Sequence, residues 1–317
     1  MLPRDLGNGS RTAESTNPVV VGVDGSRTAL RAARWAAAVA MRLEAPLLVV
    51  HARPSFGHNL SDAAADLRAI EMEVERESAT AILHSAKRAA ESESADLRIT
   101  ATDIDRPADE ALTELSQTAR LIVLGCDEVL LGTAMLVGST TTAVATHSTC
   151  PVVAFRGETT TPTMQPILVG IDHGHDSQVA LTAAFELAHR LGVGVIAVHT
   201  WLRRRPAGEV TLPFMIDWEE LEHAERLHLS ETLTPLIGLY PGVEVTEVVD
   251  LDKPSRALLR RAKDAQLVVV GSRGRGLLAS AFLGSTGLNL LHHCAIPVMI
   301  CRSTHSDTHY EKENRHE

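Results

Sequence analysis

The sequence predicts an α/β protein of two tandem domains, each a five-stranded parallel sheet flanked by helices. Its 317 residues are about twice the length of a common domain, which favours two domains. Short apolar runs alternate along the chain with longer stretches of helical periodicity, as in proteins with parallel sheets. Aromatic residues are only 3% of a chain that is 44% hydrophobic. Aliphatic side chains must therefore form the core, which favours strands covered by helices on both faces.

The second observation behind this fold class is that the chain repeats itself. Four landmarks recur in one order: residues 18–24 as 166–172, 48–51 as 196–199, 121–125 as 267–271, and 150–153 as 296–299. Landmarks that keep their order across two halves of a chain indicate an internal duplication.

Each copy carries five predicted strands. They lie near residues 19–23, 47–51, 97–101, 121–125 and 152–155 in the first copy, and near 167–171, 195–199, 243–249, 267–271 and 297–301 in the second. In the first copy the predicted helices lie at 29–43, at 62–92 and after Gly138. Strands that alternate with helices imply right-handed crossovers between parallel strands.

Composition sets the expected domain boundaries. The domains are predicted at 17–157 and 166–303, joined by a linker at 158–165 that lies in a stretch rich in Thr and Pro. The polar ends, 1–16 and 304–317, are predicted to be disordered tails.

Charge and hydropathy exclude several classes of protein. A net charge of −10 argues against a nucleic-acid partner, which would need clustered Lys and Arg. No apolar run is long enough to cross a membrane, and residues 1–16 lack the apolar core of a signal peptide. We therefore expect a cytoplasmic protein whose four cysteines, none in a CxxC pair, are reduced thiols.

A glycine-rich segment follows the fourth predicted strand of the second copy. Its residues are Gly271, Ser272, Arg273, Gly274, Arg275 and Gly276, and then Gly284, Ser285, Thr286 and Gly287, in the pattern G-x2-G-x9-G-S. Open α/β sheets bind ligands at the carboxyl ends of their strands, and glycines let backbone amides approach an anion closely. The second group would open a helix whose free N–H groups favour phosphate, while the hydroxyls and arginines add donors.

Other interpretations of this segment are weaker. A strand-to-helix turn with no ligand is the simplest alternative. The nucleotide-triphosphatase loop GxxxxGK[ST] is absent, because the chain contains no Gly-Lys pair. Residues 274–279 fit GxGxxA, but the strand before them is the fourth of its domain, and no acidic residue follows about 20 positions later.

The duplication and this motif resemble the universal stress protein family, in particular its tandem-domain members of mycobacterial type, over roughly residues 18–302. In that family G-x2-G-x9-G-[ST] marks the ATP-binding branch, so the resemblance implies a Rossmann-like fold that binds ATP, with or without Mg²⁺. By the same resemblance Gly170 and Asp172 would hold the adenosine, and the segment after residues 198–199 would face the base. Gly271, Gly274, Gly284, Ser285 and Thr286 would hold the phosphates.

The first copy departs from this pattern. Glu128 stands where the second glycine would be, Asp127 precedes it, and both arginines are missing. Two carboxylates would repel phosphates, so we expect this copy to bind ATP weakly or not at all. The alternative is a divalent cation that bridges Asp127 or Glu128 to the phosphates. The candidate residues that remain in this copy are Gly22, Asp24, Gly125, Gly138, Ser139 and Thr140.

Two further features leave alternatives open. Residues 172–176 contain two histidines and two aspartates, which are typical of either a hydrated loop or a metal site. Cys126 could be a redox-sensitive thiol, although a buried inert thiol is commoner.

The functional hypothesis is an ATP-binding regulator of the stress response without fast chemistry, because the motif supplies no positioned base or nucleophile. The alternatives are a slow ATPase or phosphotransferase, and an interaction scaffold that needs no nucleotide. The last strand of each copy is expected at a sheet edge, and exposed edges invite pairing. We therefore predict either pairing between the two domains of one chain or a homodimer.

Overall fold

The computed structural model describes residues 17–53, 62–94, 96–126, 130–131, 134–135, 138–172, 174–201, 218–272 and 283–303. In the first copy the strands are β1 (Val19–Gly22), β2 (Leu47–Ala52), β3 (Ile99–Ile104), β4 (Leu121–Gly125), β5 (Leu130–Leu131), β6 (Ala134–Met135) and β7 (Val152–Phe155). Its helices are α1 (Arg27–Arg42), α2 (Asp62–Glu91), α3 (Ala108–Leu115) and α4 (Ser139–His147).

The second copy repeats this arrangement. Its strands are β8 (Ile167–Ile171), β9 (Val195–Thr200), β10 (Val245–Asp250), β11 (Leu267–Gly271) and β12 (Val298–Cys301). Its helices are α5 (His175–Leu191), α6 (Trp218–Leu239), α7 (Pro254–Arg261) and α8 (Ser285–His293), with a short 3-10 turn at Ala262–Asp264.

Each copy forms a five-stranded parallel sheet with the same strand order. The order is β3-β2-β1-β4-β7 in the first copy and β10-β9-β8-β11-β12 in the second. The fold class predicted from the sequence is confirmed. The small antiparallel pair of β5 and β6 was not predicted.

The two sheets join into one sheet of ten strands. The junction is antiparallel: β12 pairs with β7, and Met299 lies opposite Val153. Since both halves have the same strand order, this antiparallel pair relates them by an approximate two-fold axis. The last strands are therefore paired within the chain, which is the first of the two pairing alternatives.

Helices cover both faces of this sheet. Alternate residues of a strand point to opposite faces, so Val19 and Val21 pack in one core layer and Val20 packs in the other. The first layer is completed by α1, α2, α5 and α6, and the second by α3, α4, α7 and α8. No helix in the described ranges is long and apolar enough to span a bilayer.

Candidate functional site

The carboxyl ends of β8 and β11 lie at the point where the strand order of the second copy reverses. From β8 the chain passes to β9 on one side and later returns to β11 on the other. A crevice at such a reversal is the usual ligand site of an open α/β sheet. Gly170 and Gly271 lie at the ends of these two strands, and Asp172 and Ser272 follow directly.

The two halves of the glycine motif meet in space at this crevice. The backbone N–H of Gly284 donates a hydrogen bond to the carbonyl of Ser272 at 2.7 Å. Gly284 is also the N-cap of α8, so the first turn of that helix lies beside the end of β11. The arginines and glycines between them (Arg273, Gly274, Arg275 and Gly276) lie outside the described residues.

Successive residues in the first turn of α8 differ in their exposure to solvent. Ser285 is exposed and Thr286 is half-buried. The N–H groups of a helical first turn have no acceptor within their own helix, so they are available to an anion. Gly287, in contrast, is buried beside the side chain of Ile300, which indicates packing at that position.

Asp172 shapes the turn between β8 and α5. Its carboxylate accepts a hydrogen bond from the backbone N–H of Gly174 at 2.8 Å, and its own N–H donates to the Ser177 hydroxyl at 2.9 Å. In the first copy Asp24 accepts from the N–H of Ser26 at 2.9 Å in the same way. Both copies therefore keep an aspartate whose side chain closes the turn after their first strand.

Gly271 and Gly125 allow a helix to approach the sheet closely. A Cβ atom on Gly271 would lie 2.8 Å from the backbone carbon of Asp176 in α5. A Cβ atom on Gly125 would lie 2.8 Å from the backbone nitrogen of Ala29 in α1. These two candidate residues are thus required by packing whether or not a ligand is bound.

Asp176 is a buried carboxylate at the base of the site, 3% exposed. It accepts hydrogen bonds from the hydroxyl of Ser272 and, at 2.9 Å, from the backbone N–H of Ser303. The sequence interpretation of residues 172–176 as a hydrated loop is therefore wrong for Asp176. Among the described residues no group of three His, Cys, Asp or Glu side chains could hold a metal ion, and His173 lies outside them.

A buried histidine, His199, directly precedes the segment that the family resemblance expects to face the adenine base. The Nδ1 of His199 is 3.1 Å from the carbonyl oxygen of Ile171, and its Nε2 is 2.9 Å from Oε2 of Glu225 in α6. A carbonyl oxygen and a carboxylate oxygen therefore lie within hydrogen-bonding distance of the two ring nitrogens. Two residues further on, the ring of Trp201 lies 6.1 Å from that of Trp218.

The family of the chain follows from comparison with known proteins. The sequence model of the universal stress protein family matches residues 16–156 and 163–302, which include both copies. The chain belongs to the universal stress protein family. Two universal stress proteins of Mycobacterium tuberculosis support this at full length. One is 33% identical over 297 residues, 90% of this chain and 97% of the relative. The other is 32% identical over 316 residues, 92% and 99% respectively.

A solved structure supports the fold of this universal stress protein. The crystal structure of a universal stress protein from Archaeoglobus fulgidus aligns with a TM-score of 0.62 and 18% identity, covering 91% of this chain and 99% of that one. The resemblance stated from the motifs is therefore confirmed at the level of family and fold.

The first copy of this universal stress protein keeps the helix start that corresponds to that of α8. Gly138 caps α4, and Ser139 is exposed in its first turn, so the helix terminus is preserved. Cys126 is buried, and its thiol donates to the Thr141 hydroxyl at 3.5 Å, a position that suits an inert thiol. Asp127 and Glu128 lie outside the described residues.

In the sequence, Asp176 was noted only as one of four possible metal ligands at 172–176, and Glu225 was not noted at all. A comparison of the two copies contains the signal for Asp176. Thr28 and Cys126 occupy the positions that Asp176 and Ser272 occupy in the second copy, so both members of the hydrogen-bonded pair differ together. Glu225 has no comparable signal, because it lies within a helix that contains many acidic residues.

Proposed function

We propose that this universal stress protein binds ATP, with or without Mg²⁺, in its second copy and acts as a nucleotide-dependent regulator of the stress response. The observation that carries the proposal is the hydrogen bond between Gly284 and Ser272. It joins the two halves of the G-x2-G-x9-G-S motif at the point where the strand order reverses. A strand end and a helix N-terminus then face one crevice, which suits a phosphate chain.

The chemistry of the neighbouring residues supports an adenine nucleotide. Free N–H groups at the start of α8 and the exposed hydroxyl of Ser285 are donors for phosphate oxygens. Arg273 and Arg275, by their place in the motif, would offset phosphate charge. On the other side of the crevice the carboxylate of Asp172 is an acceptor that suits ribose hydroxyls.

The hydrogen bonds that the carboxylate of Asp176 accepts favour regulation over catalysis. Both of its carboxylate oxygens already accept hydrogen bonds, from Ser272 and from Ser303. A carboxylate engaged in this way is poorly placed to take a proton from an attacking water. We therefore propose binding without rapid turnover, with a slow ATPase or phosphotransferase as the alternative.

Calorimetric titration of the intact chain with Mg-ATP tests the proposal. We expect about one nucleotide per chain, because Glu128 and Asp127 place two negative charges in the first copy. Gly274→Glu transfers the residue of the first copy into the second and should abolish this binding. The reciprocal variant Glu128→Gly is the matched control and should leave the original site intact. Absence of binding to the wild-type chain would favour the scaffold alternative and refute the proposal.

A phosphate-release assay separates the regulator from the enzyme. We expect release far slower than nucleotide exchange, and no difference between the wild-type chain and Gly274→Glu. Rapid release that Gly274→Glu abolishes would establish the enzyme instead.

We also propose a cytoplasmic location. All four cysteines are buried free thiols, as is usual in a reducing compartment. Because β7 and β12 pair within the chain, a homodimer would need another surface. In the described part of the chain, β3 and β10 are the two outer strands of the ten-stranded sheet. Light scattering of the purified chain, with and without ATP, measures that oligomeric state.

A further inference from the structure

The buried carboxylate of Asp176 connects three segments of the second copy. It lies in the first turn of α5, and it accepts hydrogen bonds from residues that follow β11 and β12, namely Ser272 and Ser303. Burial of a charged group is costly unless hydrogen bonds satisfy it. These contacts therefore fix the ends of two strands against the helix.

Through Ser272 the same carboxylate acts on the glycine motif. The backbone N–H of Ser272 donates to the carbonyl of Cys301 at 2.6 Å, and its carbonyl accepts from Gly284 at 2.7 Å. With its side chain held by Asp176 as well, Ser272 is fixed at all of its polar groups. Gly284 in turn begins α8, so the position of that helix terminus depends on Ser272.

The first copy lacks this connection. Thr28 replaces Asp176, and Cys126 replaces Ser272. The thiol of Cys126 donates instead to Thr141, a residue of α4, which lies in the opposite helix layer from α1. The copy with the intact glycine motif is thus the copy with the carboxylate-to-serine contact.

We infer that Asp176 is a positioning residue that sets the phosphate affinity of the second copy by holding Ser272 and, through it, Gly284. This inference rests on the proposed binding of ATP at that site. It predicts that loss of the carboxylate weakens ATP more than adenosine, because adenosine has no phosphate. A residue that only stabilised the fold would affect both ligands equally.

The test compares three variants of the intact chain by calorimetric titration with Mg-ATP and with adenosine. Asp176→Thr introduces the residue of the first copy, Asp176→Asn keeps hydrogen-bonding groups on both sides, and Gln178→Ala is an exposed control on the same helix. A hydrogen bond to a charged group corresponds to about a tenfold to hundredfold change in an equilibrium constant. We expect Asp176→Thr to weaken ATP by about tenfold or more while adenosine affinity changes by less than about twofold.

Asp176→Asn separates positioning from metal ligation. The asparagine side-chain oxygen can accept a hydrogen bond from the N–H of Ser303, and its amide N–H can donate to the hydroxyl of Ser272. If Asp176 acts by positioning, the ATP affinity of this variant should be close to that of the wild type. A carboxylate that held Mg²⁺ would instead lose the Mg²⁺-dependent part of ATP binding in this variant, and that result would overturn the inference.

A smaller substitution covers the case in which Asp176→Thr does not fold. Ser272→Ala removes only the hydroxyl that Asp176 holds, and it should also weaken ATP selectively. Unchanged ATP affinity in folded Asp176→Thr or in Ser272→Ala would refute the inference. A wild-type chain that fails to bind ATP would refute the proposed function, so the two failures are distinguishable.

Discussion

Replacing Gly271 by alanine tests the close packing on which the site is built. The new Cβ would lie 2.8, 2.9 and 3.0 Å from the backbone carbon, the Cβ and the backbone oxygen of Asp176, whereas ordinary contact begins at 3.4 Å. Because these atoms belong mainly to the backbone of α5, the clash cannot be relieved by a side-chain rotation. Helix and strand must separate by about half an ångström.

The expected cost of Gly271→Ala follows from this displacement. Overpacking a close-packed core costs about 1–3 kcal/mol of unfolding free energy, or about 2–10 °C in the melting temperature of a chain this long. Any separation of α5 from β11 also moves Asp176 relative to Ser272. We therefore expect ATP affinity to fall together with stability.

Urea unfolding followed by circular dichroism measures the stability, and titration with ATP measures the affinity. Gly238→Ala in α6 is the matched control: in the described part of the chain its Cβ would meet no atom within 4 Å. Removing a helical glycine there should raise stability by about 0.5 kcal/mol. Unchanged stability and unchanged affinity in Gly271→Ala would show that neither depends on the close approach of α5 to β11.

Three further predictions concern stability. Glu44 has a φ of +54°, and its carboxylate pairs with Arg190 at 2.9 Å. Glu44→Gly should raise the free energy of unfolding by about 0.5–1 kcal/mol, because glycine adopts this left-handed conformation without strain. That gain exceeds the loss of an exposed ion pair. A decrease on urea unfolding would show that the ion pair dominates. Burial raises the pKa of Cys150 from 9.0 to about 12, so its contribution to stability is complete below pH 9 and is lost as the pH rises towards 12. Between pH 9 and 10 we expect the unfolding free energy of the wild-type chain to fall by about 1 kcal/mol, and to fall by less in Cys150→Ala. An equal dependence of unfolding free energy on pH in the two proteins would contradict this. Arg156 is 1% exposed and donates through Nη1 to the carbonyl of Cys294 at 3.2 Å, while its Nε and Nη2 have no partner among the described residues. Arg156→Met should therefore leave the unfolding free energy unchanged or raise it by about 1 kcal/mol. A decrease of more than about 2 kcal/mol would show that the buried guanidinium of Arg156 is well compensated.

The central strands were predictable because both of their faces are buried. Strands β4, β7, β8 and β11 have the bounds that the sequence predicted, since a doubly buried strand is a continuous apolar run. The outer strands were placed less well. The prediction of 97–101 became β3 at Ile99–Ile104, where Thr100 and Ala101 are exposed and interrupt the apolar pattern.

The pairing of β7 with β12 could not be derived from the sequence. Both strands are buried at every position, which indicates that each is covered. Apolar pattern alone does not say whether the covering strand belongs to the same chain or to another. The structure shows that the two strands pair within one chain.

The sequence indicated which glycines and which turn aspartate to place at the candidate site, but it did not indicate the buried polar contacts around them. Gly284 belongs to the glycine motif and Asp172 was placed by the family resemblance, whereas the burial of Asp176 depends on how closely α5 approaches β11. Charged residues are rarely buried, so an aspartate at a helix start is expected in solvent. The contact between His199 and Glu225 likewise joins residues on β9 and α6, whose proximity comes from tertiary packing.

The number of nucleotides bound per chain tests most directly whether the second copy holds the functional site. Native mass spectrometry of the intact protein with Mg-ATP should find about one nucleotide, none in Gly274→Glu, and the original site still occupied in Glu128→Gly. Binding that persists in Gly274→Glu, or a wild-type chain that binds no nucleotide, would contradict the claim that the second copy holds the functional site.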